Sequence, residues 1–217
     1  MSEKSPVVLI LGAGPKVGIP AAKAFASKGY KVAIAARSLD EADSTDEQLN
    51  IKSDFANPED VSSTTVPGAA TFSPPGDPFA ISLDSFQRDM TVNNTSVFVA
   101  AQQAVLGFAD LPVNAPRTFF FTGNILNVTA LPQFLESGAG KSASAHMMMA
   151  AAAEYKEKGF KFYYIDERKA DGSAAFKIDG EAHSKLFLEL AEAKTQGPWL
   201  QTFVKGIGYK DFGPYRL

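Results

Sequence analysis

The 217 residues contain no cysteine and only two histidines, His146 and His183. The first absence removes disulfides, thiolate catalysis and zinc–thiolate centres from consideration. The second leaves little from which to build a metal site, so no metal is expected. No apolar run approaches the ~20 residues that a membrane span needs. An excess of positive charge is missing as well. With a net charge of −3 and a pI near 5.5, the chain is a poor match for nucleic acid or an anionic membrane. Met1 to Pro6 is too short and polar for a signal peptide, so a cytoplasmic protein is expected. An apolar content of 45% is enough for a full core, and the length suits a single domain, 1–217.

What is present is organised around residues 7–18. Val7 to Leu11 is an apolar run that reads as a strand buried on both faces. A turn containing Gly12, Gly14 and Gly18 follows at once, and Ile19 to Lys28 then has a helical pattern closed by Gly29. Glycines in such a turn let backbone N–H groups approach a pyrophosphate, and the helix N-terminus adds partial positive charge. Gly12, Gly14, Lys16, Val17 and Gly18 are therefore candidate cofactor residues. The plainer reading is a strand-to-helix turn that uses glycine only for its backbone freedom.

Tyr30 to Ala36 reads as a second strand, parallel to the first. Its end would face the adenosine ribose, where an acidic residue binds the 2′-hydroxyl. Here the chain places Arg37 and Ser38 instead. An arginine suits a 2′-phosphate, so NADP(H) is favoured over NAD(H), against the alternative of Arg37 as a solvated loop charge. A short third strand covers Leu49 to Asp54. Between Asp60 and Phe72 the run VSSTTVPGAAT barely provides the crossover that a further parallel strand requires.

Leu83 to Phe108 is a long helical stretch with Asn93-Asn94-Thr95-Ser96 in its middle, a place where polar residues mark a bend or a site. Thr118 to Thr122 is a strand ending in Gly123-Asn124. Lys141 to Lys158 is an Ala/Met-rich helix, Phe160 to Ile165 a strand running into Asp166-Glu167-Arg168, His183 to Lys194 a helix, and Gln201 to Gly206 a final strand. This alternation predicts an α/β protein, a Rossmann-like doubly wound parallel sheet with helices on both faces, lacking one crossover helix or strand after Asp60.

The residues quoted resemble the short-chain dehydrogenase/reductase superfamily over nearly the whole chain. The loop GAGPKVG resembles that family's TGxxxGxG, with Lys16 where the middle glycine would be. Asp54 sits where the family has an acid beside the adenine. Asn93 looks like the family's helix asparagine, which holds a catalytic water. Asn124, in FTGN, lies where the family carries its active-site serine. For the family's YxxxK, distance to the following strand puts Lys141 on the lysine and Ser137 on the tyrosine. A register shifted by four residues would put Lys141 on the tyrosine and Ala145 on the lysine. The first is preferred, and in both the tyrosine is gone. The runs FTGN, GKSASAH, FYYIDER and QGPWLQTFVKG are similar to a fungal NAD(P)-binding branch with degenerate active-site motifs.

In the family mechanism the tyrosine hydroxyl delivers a proton as hydride arrives, helped by the lysine. A serine hydroxyl at Ser137 has no comparable acidity. The resemblance therefore implies an NADP(H)-binding, oxidoreductase-like protein for a small carbonyl or alcohol substrate, with Asn93, Asn124, Ser137 and Lys141 as catalytic candidates. Lys141 and Asn93 also stand near the cofactor. Tyr163, Tyr164 and Asp166 are candidates for a rearranged proton donor. The alternative is a catalytically silent NADP(H)-binding protein, or a non-redox one without cofactor. The family's dimer helices imply a homodimer through the Ala/Met face.

Overall fold

A computed structural model describes residues 5–36, 39–53 and 72–213. Arg37, Ser38, Asp54 and the short segment after Asp60 lie outside them. The chain alternates as the pattern predicts: β1 (Val7–Leu11), α1 (Gly18–Ser27), β2 (Lys31–Ala36) and β3 (Gln48–Lys52) come first. Then follow α2 (Leu83–Met90), a π-helical turn (Thr91–Thr95), α3 (Ser96–Asp110), β4 (Thr118–Thr122) and α4 (Leu135–Glu154). The chain continues through β5 (Lys161–Arg168), α5 (Gly180–Glu192), β6 (Leu200–Val204) and β7 (Gly208–Tyr209). Local chemistry sets several boundaries. Ser82 caps α2 by accepting from the Ser85 N–H, and Asp179 caps α5 through Ala182. Gly29 (φ 80) and Gly159 (φ 71) take the left-handed conformation that ends α1 and the turn after α4.

All pairings among β1–β3 and among β4–β6 are parallel; β7 adds an antiparallel hairpin edge to β6. The strands fall into two hydrogen-bonded groups, β3-β2-β1 and β4-β5-β6-β7. Among the described residues no strand joins β1 to β4. The two groups are held together from one face by side chains. Ala21, Ala22 and Phe25 of α1 and Val32 and Ile34 of β2 share a core with Tyr163, Ile165, Phe203 and α5 residues Leu186, Phe187 and Leu190. A second core, Val97, Phe121, Ala145, Met148, Phe162 and Tyr164, lies on the opposite face beneath α3 and α4.

The second core covers β4 and β5 but not β1–β3, and this corrects two expectations. The first strand is not buried on both faces: Val8 and Ile10 join the first core, whereas Leu9 is 47% and Val7 68% exposed. In register, Leu9 faces Ala33, which faces Leu49, itself exposed. The helix expected from Lys141 begins earlier, at Leu135, and ends at Glu154, so Lys141 lies in its second turn. Pro132 opens a short 3₁₀ turn that leads into it.

β5 is buried along its whole length, the tyrosines included. At its start, Lys161 sends its ammonium to the C-terminal end of α5. There Nζ donates to the carbonyls of Leu190 and Ala191, both at 2.8 Å, and to that of Ala193. These are carbonyls that a helix end leaves unsatisfied. Burial lowers the Lys161 pKa to about 8. Lys161→Met should strip this cap and lower stability by about 1–3 kcal/mol, the cost of buried acceptors without donors. Urea unfolding would measure it, and an unchanged midpoint would show that the cap is not structural.

Candidate active site

The glycine turn at the carboxyl end of β1 is pinned to β2: the N–H groups of Gly12 and Ala13 both donate to the Ala35 carbonyl, at 3.0 and 3.2 Å. Gly12 has φ 86, open to glycine and strained for other residues. A Cβ on Gly18 would lie 2.6 Å from Ala13 Cα and 2.8 Å from the Gly12 carbonyl oxygen, so only glycine lets α1 start so close to the strand. Val17, at the N-cap of α1, supplies no side-chain oxygen, and the first turn holds no acid. Its leading N–H groups are thus not capped by a side chain, and Gly14 and Lys16 are exposed. A cradle of this kind fits an anionic phosphate. The N-terminus of α5 abuts it, since a Cβ on Gly180 would overlap Lys16 carbonyl oxygen and Pro20.

The carboxyl end of β4 is built differently from what its glycine suggests. The Tyr164 ring from β5 occupies the space that a side chain at Gly123 would fill. Its hydroxyl donates to the Asn124 carbonyl at 2.9 Å and accepts the Asn124 N–H at 3.1 Å. Asn124 Oδ1 in turn accepts from the Leu126 N–H, starting a turn of 3₁₀ helix. Beside this lies Lys141. Its Nζ is 3.4 Å from the Thr122 carbonyl and 4.5 Å above the Phe121 ring. Burial lowers its pKa to about 8, against the opposing pull of Asp166.

Asp166 is completely buried. One carboxylate oxygen, Oδ2, accepts from Arg168 at 2.5 Å; the other, Oδ1, has no hydrogen-bond partner. Burial pushes its pKa up, and the Arg168 guanidinium and Lys141 pull it back. A buried guanidinium needs an opposite charge beside it, and Asp166 is the carboxylate that Arg168 meets. Arg168 also bonds the Gly172 carbonyl and lines a cavity of about 420 Å³ with Trp199, Tyr209 and Phe212. Glu167, between the two, points to the other face. There it accepts from the Asp179 N–H and lies 3.4 Å from His183.

The helix candidates sit deeper. Asn93 lies in the π-turn, 2% exposed; its Nδ2 donates to the Asp89 carbonyl, and its own carbonyl accepts from Ser144 Oγ at 2.8 Å. π-turns within α-helices recur at functional sites. Ser137 is buried in the first turn of α4, one turn before Lys141. Gly140 allows the close approach of α4 to Asn93, 2.9 Å from its Cβ to a Cβ built on the glycine. The structure therefore gathers Asn124, Lys141 and Asp166 at the ends of β4 and β5, with the glycine cradle at the end of β1. Tyr163 points to the opposite face, where its hydroxyl accepts from the Gly197 N–H. Burial raises the pKa of both Tyr163 and Tyr164. Phe121 and the insertion of Tyr164 were not foreseen. Strand alternation alone would have separated Glu167 from Asp166 and Arg168.

Among the described residues no cluster of His, Asp or Glu could hold a metal, and no helix is long and apolar enough to cross a membrane. No protein-family model matches the chain. A short-chain dehydrogenase/reductase of Cryptosporiopsis sp. (strain 8999), dmxR12, is 43% identical over 234 residues, covering 96% of this chain and 95% of that protein. Among solved structures, a 3-oxoacyl-[acyl-carrier protein] reductase from Brucella melitensis, in complex with NAD, matches with a TM-score of 0.72. It is 19% identical, over 88% of this chain and 91% of its own. ElxO with NADP bound matches with a TM-score of 0.75 at 14% identity, over 94% and 98% of the two chains. These structures share the fold.

Because the Tyr164 ring occupies the Cβ site of residue 123, Gly123→Ala should destabilise the protein by about 1–3 kcal/mol, the usual cost of overpacking. In a Tyr164→Ala background the same substitution should cost far less. A double-mutant cycle by urea unfolding measures this, and equal costs in both backgrounds would refute the steric account.

Proposed function

The chain belongs to the short-chain dehydrogenase/reductase family, and on that premise we propose that it is an NADP(H)-dependent oxidoreductase. It acts as a single nicotinamide-binding domain on a small carbonyl or alcohol substrate, with a proton donor other than the family tyrosine. The observation that carries the cofactor is the close approach at Gly18, which brings the start of α1, without a side-chain cap, onto the end of β1. Gly12, Gly14, Lys16, Val17 and Gly18 would hold the pyrophosphate. That relatives on this fold are solved with NAD and with NADP agrees with such a use.

The preference for the phosphorylated cofactor rests on sequence: Arg37 and Ser38 follow β2 where an acid would favour NAD(H). Asp54 would lie beside the adenine. Lys141, half-buried at the end of β4, can reach ribose hydroxyls or the reacting carbonyl. Asn93 and Ser137 line the helix pair behind it, and Asn124 marks the substrate side. The cavity beside Arg168 has the size of a small-molecule site. A cytoplasmic location and a homodimer through the Ala/Met face of α4 complete the reading. On that helix Met148 is buried within the protein, while Met149, 39% exposed, is open to a partner.

A second reading, a cofactor-binding protein without turnover, is favoured by one observation. The tyrosine position holds Ser137, and that serine is buried. Fluorescence titration with NADPH and NADH separates the readings. Wild type should bind NADPH saturably and NADH more weakly. Arg37→Ala should weaken NADPH by about tenfold, some 1.4 kcal/mol, with little effect on NADH. Binding of neither dinucleotide would sink both readings, and binding without turnover on a carbonyl panel would favour the second.

A further inference from the structure

The cavity beside Arg168 is separate from the residues assigned so far: neither 12–18 nor Asn93, Ser137 or Lys141 lines it. Its volume, about 420 Å³, falls at the lower end of the range for small-molecule sites. Three rings face it, from Trp199 just before β6, Tyr209 of β7 and Phe212 beyond β7. Ile125, Val128 and Leu200 add aliphatic surface.

These walls are held before any ligand arrives. Thr202 Oγ1 donates to the Lys210 carbonyl at 2.6 Å, and the Lys210 N–H donates back to the Thr202 carbonyl at 3.0 Å. Lys210 Nζ donates to the Ala170 carbonyl at 2.7 Å and lies 4.9 Å from the centre of the Phe212 ring. Phe212 packs on Gly172, where a Cβ would come within 2.8 Å of the ring. The stretch after β7 is thereby tied to the turn after β5, and rings fixed in this way lose little freedom on meeting a ligand.

Among the described residues that line the cavity, the charged ones are Arg168, Asp171 and Asp211. Arg168 is 6% exposed. Its Nε and Nη2 meet one Asp166 oxygen and its Nη1 the Gly172 carbonyl, which engages three of a guanidinium's five N–H donors. Asp166 offsets its charge, and the exposed Asp171 and Asp211 add negative charge at the cavity. An anion would be repelled there, and a cation would be set against the guanidinium. A neutral oxygen can accept from Arg168, and a flat π surface suits the rings.

Resting on the oxidoreductase reading for the use made of it, we propose that this cavity takes an uncharged, flat aromatic compound carrying a carbonyl or phenolic oxygen. The oxygen accepts from Arg168, and the rings lie among Trp199, Tyr209 and Phe212. On that reading the substrate narrows from a small carbonyl or alcohol to an aromatic one. Trp199 is the chain's sole tryptophan, so its emission reports on this cavity.

Cofactor-free protein is titrated by calorimetry with 1-tetralone, 1-decalone, tetralin and 1-naphthoate, while Trp199 emission is followed against N-acetyltryptophanamide as the optical control. 1-Tetralone should bind and quench. 1-Decalone, which keeps the ketone without the aromatic ring, should bind about tenfold more weakly. Tetralin, which keeps the ring without the oxygen, should also lose about tenfold. The anion 1-naphthoate should lose about tenfold or more. Phe212→Leu, at a half-buried position, should weaken 1-tetralone by about tenfold and leave 1-decalone within about threefold. Tyr209→Leu serves in its place should that variant not fold.

1-Decalone or 1-naphthoate binding as tightly as 1-tetralone overturns the inference. Tetralin binding equally well overturns the bond to Arg168. Binding without quenching, or with full affinity in Phe212→Leu, puts the ligand outside this cavity and overturns the inference as well. So does failure of 1-tetralone to bind both alone and with saturating NADP+, an outcome that leaves the oxidoreductase reading to the dinucleotide titration. Quenching by 1-tetralone in a protein that takes up neither dinucleotide supports the aromatic site and sinks the oxidoreductase reading.

Discussion

The packing of α5 against α1 carries the molecule. Among the described residues β1 and β4 exchange no hydrogen bonds, and side chains on one face join the two strand groups. Phe25, Ile34, Tyr163, Phe187 and Phe203 fill that seam, and Gly180 brings the start of α5 onto Lys16 and Pro20 of the glycine turn. The cradle for a phosphate belongs to one group of strands and Lys141 to the other. Among the described residues their separation is set by hydrophobic packing, with no ladder of backbone bonds joining the two groups. Apolar burial is non-directional, so the seam's geometry depends on the fit of those particular rings.

β5 is the second organising element. Its alternation sends Tyr163, Ile165 and Glu167 beneath α5 and Phe162, Tyr164, Asp166 and Arg168 toward α4. One strand thus serves the seam with one face and the candidate active site with the other. Charged residues at its end are affordable because each has a partner: Arg168 for Asp166, and the Asp179 N–H with His183 for Glu167. The same arrangement leaves Asp166 Oδ1 buried without a hydrogen-bond partner.

The end of β4 is built around one close contact with β5. Glycine at 123 and tyrosine at 164 go together, because the ring needs the space that any side chain at 123 would take. With the ring inserted, the backbone of Asn124 is fixed by the phenol, and half-buried Lys141 lies beside the end of β4. Beside it a cation lies on an aromatic face in a half-buried setting.

Much of this was written in the chain itself. The strand before the glycine turn and the alternation of strand and helix read correctly, because each depends on local periodicity and backbone freedom. Other features depend on partners distant in sequence, and only the tertiary structure decided them. Leu9 looks like a core residue from its neighbours, but its exposure depends on which helices cover β1. Tyr164 and Gly123 are 41 positions apart, and nothing local tells a ring where a glycine lies. The lowered pKa of Lys141 likewise comes from the burial around it, opposed by the charge of Asp166. Periodicity is carried by the covalent chain, whereas electrostatics and shape exist only after it has folded.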